Sequence, residues 1–165
     1  MCCNNFNNCG CNQGGCCQNG CNRTPIYLRV RPTPTPTTPT TFNQNATVFN
    51  GATVTLTAGT PIPFPSTLTN NGLTTTGTGI TVPNAGTYLV GYTTGSADVV
   101  GDDSIGIAVN GAVVNATTRL LNTTGGVSGN YILNLNAGDT ITLVPNGTTA
   151  TTLTPTNTLT VERVY

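Results

Sequence analysis

Ile105-Gly106-Ile107-Ala108-Val109-Asn110-Gly111-Ala112-Val113-Val114 is the stretch whose reading decides the fold. Ile105, Ile107 and Val109 recur at every second position, the period of a strand with one buried face. Asn110-Gly111 follows, two residues that tolerate positive φ, as a type I′ turn requires, so a tight hairpin is predicted. Val113 and Val114 continue the returning arm. Gly106 and Ala108 alternate with the large residues. Small side chains on that second face suit close approach of another layer or subunit, or leave a plain outer face.

The same grammar repeats on both sides. Ile80 and Val82 precede an Asn84-Ala85-Gly86 turn, and Tyr88, Val90 and Tyr92 follow it. Ile132, Leu133 and Leu135 lead into Ala137-Gly138-Asp139. Ile141 and Leu143 alternate with Thr until Pro145-Asn146-Gly147 turns the chain. Val54 and Leu56 form an upstream strand, and Leu159, Val161 and Val164 the last one. No stretch sustains the three-and-four apolar spacing of a helix. Roughly eight to ten short strands separated by turns predict an all-β sandwich over residues 42–165. With only four Phe and five Tyr in the chain, its core is adequate but not rich, and such a domain gains from burying sheet faces against copies of itself.

Charge sets further bounds. Five Arg balance five acidic residues, and there is no Lys, His or Trp. No basic excess exists to hold a phosphate backbone, so nucleic-acid binding is not expected. Zero net charge removes the usual electrostatic resistance to self-association. No apolar run approaches the ~20 residues that span a bilayer. The N-terminus, Met1-Cys2-Cys3-Asn4-Asn5, lacks the basic and apolar regions of a signal peptide, so Sec-type export is not expected.

Catalytic parts are scarce. Without His the commonest general base is missing. Asp98, Asp102 and Asp103 fall in a stretch that reads as a loop, where carboxylates bind calcium or are simply solvated; the spacing is not that of an EF-hand. Asp139 occupies a turn position suited to capping backbone amides. Ser66, Ser96, Ser104 and Ser128 have no base nearby in sequence. Glu162 and Arg163 are strand neighbours and face opposite ways, and with Arg119 they read as surface groups. The domain's Asn-x-Thr sequons, at Asn45, Asn115, Asn122 and Asn146, read as incidental in the absence of a secretory signal. No catalytic residue, metal site or cofactor is expected.

The N-terminal segments differ sharply in composition. Residues 1–22 consist mostly of Cys, Asn, Gly and Gln and hold all seven cysteines: Cys2, Cys3, Cys9, Cys11, Cys16, Cys17 and Cys21. This low-complexity tail cannot build a core. An odd count leaves at least one thiol per copy without an internal partner. Cys17 and Cys21 fit a zinc-type spacing, but no matching second pair follows. Adjacent cysteines close a strained ring, and C-x-C is also tight, so these pairs are better placed to reach cysteines of other chains. In residues 23–41, Ile26, Leu28 and Val30 alternate with Tyr27, Arg29 and Arg31, a short amphipathic strand that must pair with something. Ile26, Tyr27, Leu28 and Val30 are therefore the candidate docking residues of a connector. The Thr-Pro stretch that follows favours an extended spacer of roughly 30 Å over residues 32–41.

Four stretches of the domain carry a resemblance. They are Gly79-Ile80-Thr81-Val82-Pro83-Asn84-Ala85-Gly86-Thr87-Tyr88-Leu89-Val90, the Ile105 to Val114 run, Leu135-Asn136-Ala137-Gly138-Asp139-Thr140-Ile141-Thr142-Leu143, and Leu159-Thr160-Val161-Glu162-Arg163-Val164. In order and spacing they resemble the C-terminal domain of the Bacillus collagen-like exosporium glycoproteins, within the tumour necrosis factor/C1q-like jelly-roll family. The likeness covers most of residues 46–165. The chain departs from that pattern in having no Gly-X-Y stalk; the Cys-rich tail, strand and spacer stand in its place, an arrangement similar to subunits of endospore appendages. The resemblance implies a jelly roll that assembles as a homotrimer and stacks into a fibre. It also implies synthesis in the mother cell, release on lysis, a place on the spore surface, and contact with other coat or exosporium proteins. The alternative role is an adhesin anchored by its tail.

Overall fold

The computed structural model describes residues 43–98, 103–147 and 152–165. The predicted tail and connector strand, with all seven cysteines, lie outside them. The strands in chain order are β1 (Asn45–Asn50), β2 (Val54–Thr55), β3 (Ser66–Asn71), β4 (Thr74–Thr75), β5 (Gly79–Thr81), β6 (Gly86–Thr93) and β7 (Ala97–Asp98). After them come β8 (Ser104–Val109), β9 (Ala112–Val113), β10 (Arg119–Leu120), β11 (Ser128–Leu135), β12 (Thr140–Asn146), β13 (Thr152–Leu153) and β14 (Asn157–Arg163). A single 3₁₀ turn, Asn115–Thr117, is the only helical element among the described residues.

One sheet has the order β11-β6-β14-β1-β3, the second β10-β8-β12-β5-β4 with β9 also paired to β8, and a small third β2-β13-β7. All pairings are antiparallel. The core lies between the two large sheets. Tyr88, Val90, Leu159, Val161 and Val48 come from the first, and Ile80, Ile105, Ile107, Ile141 and Leu143 from the second; all are fully buried. This is the predicted all-β sandwich.

The β8–β9 hairpin has the expected turn, with φ of 51° at Asn110 and 83° at Gly111. Asn110 also ties this turn to the next one. Its Nδ2 donates to Asp139 Oδ1 at 2.7 Å, and its Oδ1 accepts the Thr140 amide at 2.9 Å. Asp139 Oδ2 accepts the Asn136 amide at 2.8 Å, the capping role predicted for it. The Asn136 amide, and then the Asn110 side chain, hold the Asp139 carboxyl below the usual carboxylate range. The folded state therefore gains stability from this ionised group above the unfolded pKa of ~3.9, and loses that gain as pH falls through the lower folded value. Asp139→Asn is expected to lower Tm at neutral pH and to shrink the further loss of Tm on acidification. Melts of both proteins from about pH 2 to 7 check this, and parallel curves would refute it.

The structure departs from the sequence reading at several points. β1 and β3 are strands that periodicity did not predict. The Val54 and Leu56 strand is shorter than expected: β2 ends at Thr55. Val114 lies beyond β9. By contrast, Gly106 and Ala108 are both buried, as the reading of close approach by another layer expects, and the layer over Gly106 belongs to the same chain. A Cβ at Gly106 would stand 3.0 Å from Thr118 Oγ1 and 3.4 Å from Thr118 Cα. Thr117 holds that covering turn down. Its Oγ1 accepts the Ile107 amide at 2.9 Å and donates to Val114 O at 2.7 Å, and its carbonyl accepts the Tyr92 hydroxyl at 2.9 Å.

Candidate assembly interface

The strand period that buries one face of the five-stranded sheet presents the other face outward. On β6 the outward positions are Thr87, Leu89, Gly91 and Thr93, alternating with buried Tyr88, Val90 and Tyr92. The register sets Asn134, Ile132, Asn130 and Ser128 of β11 opposite them on one side, and Glu162, Thr160 and Thr158 of β14 opposite Leu89, Gly91 and Thr93 on the other. Asn45, Thr47 and Phe49 of β1 continue the face. It is therefore a surface of Thr and Asn with Leu89 and Ile132 side by side within it. Glu162 is its only ionisable outward position.

Several polar groups on this face are already paired with each other. Thr47 and Thr160 hydroxyls lie 3.1 Å apart, and Thr87 Oγ1 donates to Asn134 Oδ1 at 2.9 Å. Ile132 is 70% exposed and Leu68, on β3, 58%. Leu68 is the extra residue of a bulge, since Thr47 pairs with Thr69 and Val48 with Thr67. Both edge strands of the sheet, β11 and β3, contain no charged residue. Uncharged edges and an apolar patch of this kind are features that soluble monomers usually suppress.

The residues singled out for chemistry serve structure. Arg163 Nε donates to Tyr165 O at 3.1 Å and Nη2 to Ala85 O at 3.0 Å, which ties the C-terminus to the turn before β6. Arg119 sits 5.8 Å over the Tyr131 ring, which stacks on Tyr92 with centroids 6.3 Å apart. Burial, and then Tyr131, pushes the Tyr92 phenol far above its usual range; Tyr88 is raised chiefly by burial, with Arg163 opposing. Ser104 Oγ donates to Asn146 O at 2.7 Å, and Ser96 Oγ pairs with Thr154 Oγ1 at 3.2 Å.

The acidic group needs correction. Asp103 is not a solvated loop carboxylate: it is 5% exposed, directly before β8. Asp98 ends β7 and is exposed, and Asp102 lies outside the described residues. Among the described residues no cluster of three potential ligands could hold a metal ion. The docking residues Ile26, Tyr27, Leu28 and Val30 and all seven cysteines also lie outside the described residues. The sheet face itself escaped sequence reasoning. Ile132 was the available signal, because it breaks the phase of Tyr131, Leu133 and Leu135.

Solved structures share this architecture at low identity. The globular domain of zebrafish complement 1qA is 14% identical with a TM-score of 0.54, and the match covers 74% of this chain and 98% of that one. The Eiger TNF of S. frugiperda is 18% identical with a TM-score of 0.57, covering 74% and 93%. Murine APRIL is 17% identical with a TM-score of 0.55, covering 74% and 99%. At these identities the likeness is one of fold, the C1q/TNF jelly roll. No curated protein matches the sequence. The model of the BclA C-terminal domain matches residues 40–165, and the chain belongs to that family.

Proposed function

We propose that this protein is a structural subunit of the spore surface, in an appendage or exosporium-type fibre. Its domains assemble through the outer face of the five-stranded sheet, as trimers. Its N-terminal connector joins successive units, and its cysteines make the joint covalent. The observation that carries this reading is the nearly uncharged sheet face around Leu89 and Ile132, in a member of the BclA C-terminal domain family. It describes a structural protein and not an enzyme. Among the described residues no helix is long and apolar enough to cross a membrane.

The sequence restricts the covalent bonds further. Residues 22–165 contain no cysteine, so disulfides between copies can join only tail to tail. Oxidised full-length protein is expected to run as a ladder on a denaturing gel and to collapse to one band with reductant. Replacing all seven cysteines by Ser should abolish the ladder while leaving noncovalent assemblies visible by negative-stain microscopy. Monomer alone in both lanes would refute covalent linkage.

A further inference from the structure

Among the described residues, glycine directly follows asparagine at Asn50-Gly51, Asn71-Gly72, Asn110-Gly111 and Asn146-Gly147. Asn19-Gly20 lies outside them. Such a pair is chemically weak, because glycine has no side chain to shield its amide nitrogen from the Cγ of the preceding asparagine. The fold treats these pairs differently. Asn50 is buried, its Nδ2 donates to Pro63 O at 2.7 Å, and its Oδ1 accepts the Ala52 amide at 2.8 Å. Asn110 is likewise held at both ends of its amide, by Asp139 and by the Thr140 N–H. Asn71 Nδ2 donates to Asn43 O. Asn146 is exposed and is the last residue of β12. Among the described residues, neither its side chain nor the Gly147 N–H makes a hydrogen bond. Packing also requires glycine at 147, since a Cβ there would overlap the carboxylate of buried Asp103.

We propose that Asn146 is a self-modification site, which deamidates in the folded protein without an enzyme. The Gly147 nitrogen attacks Asn146 Cγ. A C–N bond forms, the Cγ–Nδ2 bond breaks, and Nδ2 leaves as ammonia, taking the Gly147 amide proton. Water then opens the cyclic imide at either carbonyl, which leaves aspartate or isoaspartate at 146. The balance is one water consumed and one ammonia released, with no oxidant, metal or cofactor. Extended backbone holds the next amide away from Cγ, so attack requires the 146–147 peptide to rotate. Asn146 ends its strand, and Ser104 resists that rotation: it pairs with Asn146 across the ladder, and its Oγ donates to Asn146 O at 2.7 Å. Ser104 is therefore the brake on the reaction. Each conversion adds a carboxylate to a chain of zero formal net charge, next to the glycine against which Asp103 packs. A neutral chain that gains charge with age regains electrostatic resistance to self-association.

The test incubates full-length protein in mildly alkaline buffer with reductant, once folded and once in urea. Isoelectric focusing follows the acidic species, and fragment-ion mass spectrometry locates each converted asparagine, with Asn19 scored separately. In urea, all the Asn-Gly pairs should convert at comparable rates. In the folded protein, Asn146 should convert at least about ten-fold faster than Asn50 and Asn110, whose two side-chain hydrogen bonds must break first. Asn146→Gln should remove the acidic species assigned to that position. Ser104→Ala should speed conversion at Asn146 and leave Asn71 unchanged, with a melting curve showing that the domain is still folded. If Asn146 stays intact in the folded protein while the urea sample converts, the proposal is overturned. Faster conversion at Asn71 or Asn110 than at Asn146 overturns it equally. An unchanged rate at Asn146 in folded Ser104→Ala would overturn the brake assigned to Ser104.

Discussion

Leu159→Ala is expected to lower the unfolding free energy by about 2–5 kcal/mol, the range for deleting a buried leucine side chain. Leu159 is fully buried on β14, between β6 and β1, where it stands opposite Tyr92 and Val48. Hydrogen-bonded ladders on both flanks hold those neighbours in place, so the cavity cannot collapse. Asn157, two residues earlier, pins the strand further: its Oδ1 accepts the Gly95 amide and its Nδ2 donates to Thr154 O, both at 3.1 Å. Ile132→Ala, on the outward face of β11, should by contrast change monomer stability by no more than about 0.5 kcal/mol. Urea unfolding of the dispersed protein separates the two. A Leu159→Ala midpoint shift worth less than about 1 kcal/mol at unchanged slope would refute the packing assigned to β14.

The contrast between those two positions marks what the sequence discloses. β6, β8, β12 and β14 were legible because each buries one face and carries its large apolar residues in strict alternation. β1 was hidden by Asn50, which takes an inward position after Ala46 and Val48. A polar residue is stable there because its amide donates to Pro63 O and its Oδ1 accepts the Ala52 amide at 2.8 Å. β3 has every residue exposed and therefore no periodicity to read; pairing with β1 alone makes it a strand. Burial of Asp103 depends on how distant segments close over it, which local composition does not encode. The candidate interface was half legible. In the run Ile132-Leu133, one residue must face outward at a period of two, but only pairing with β6, about 40 residues earlier, sets Ile132 beside Leu89. The fold was legible through local pattern, whereas the interface depends on register.

Ile132→Asp is expected to abolish association of the domains while leaving each one folded. Ile132 is 70% exposed in the single chain, so a carboxylate there remains hydrated and the core is untouched. In the assembled state the same carboxylate would be buried against a neighbour with no cation to meet it, because Glu162 is the only ionisable group facing outward on the sheet. Burying an unpaired charge costs several kcal/mol, and a closed symmetric assembly imposes that cost once in every copy of the interface. Sedimentation equilibrium with reductant should therefore show monomer for Ile132→Asp, and stronger association than wild type for Glu162→Gln, which removes the only charge to be desolvated. Persistence of the wild-type oligomer in Ile132→Asp would exclude this face. The variant also bears on the connector proposed to join successive units. Connectors presented together from one unit gain effective concentration, so losing the sheet contact should abolish stacking as well. Loss of stacking together with the sheet contact would make the sheet face the primary contact.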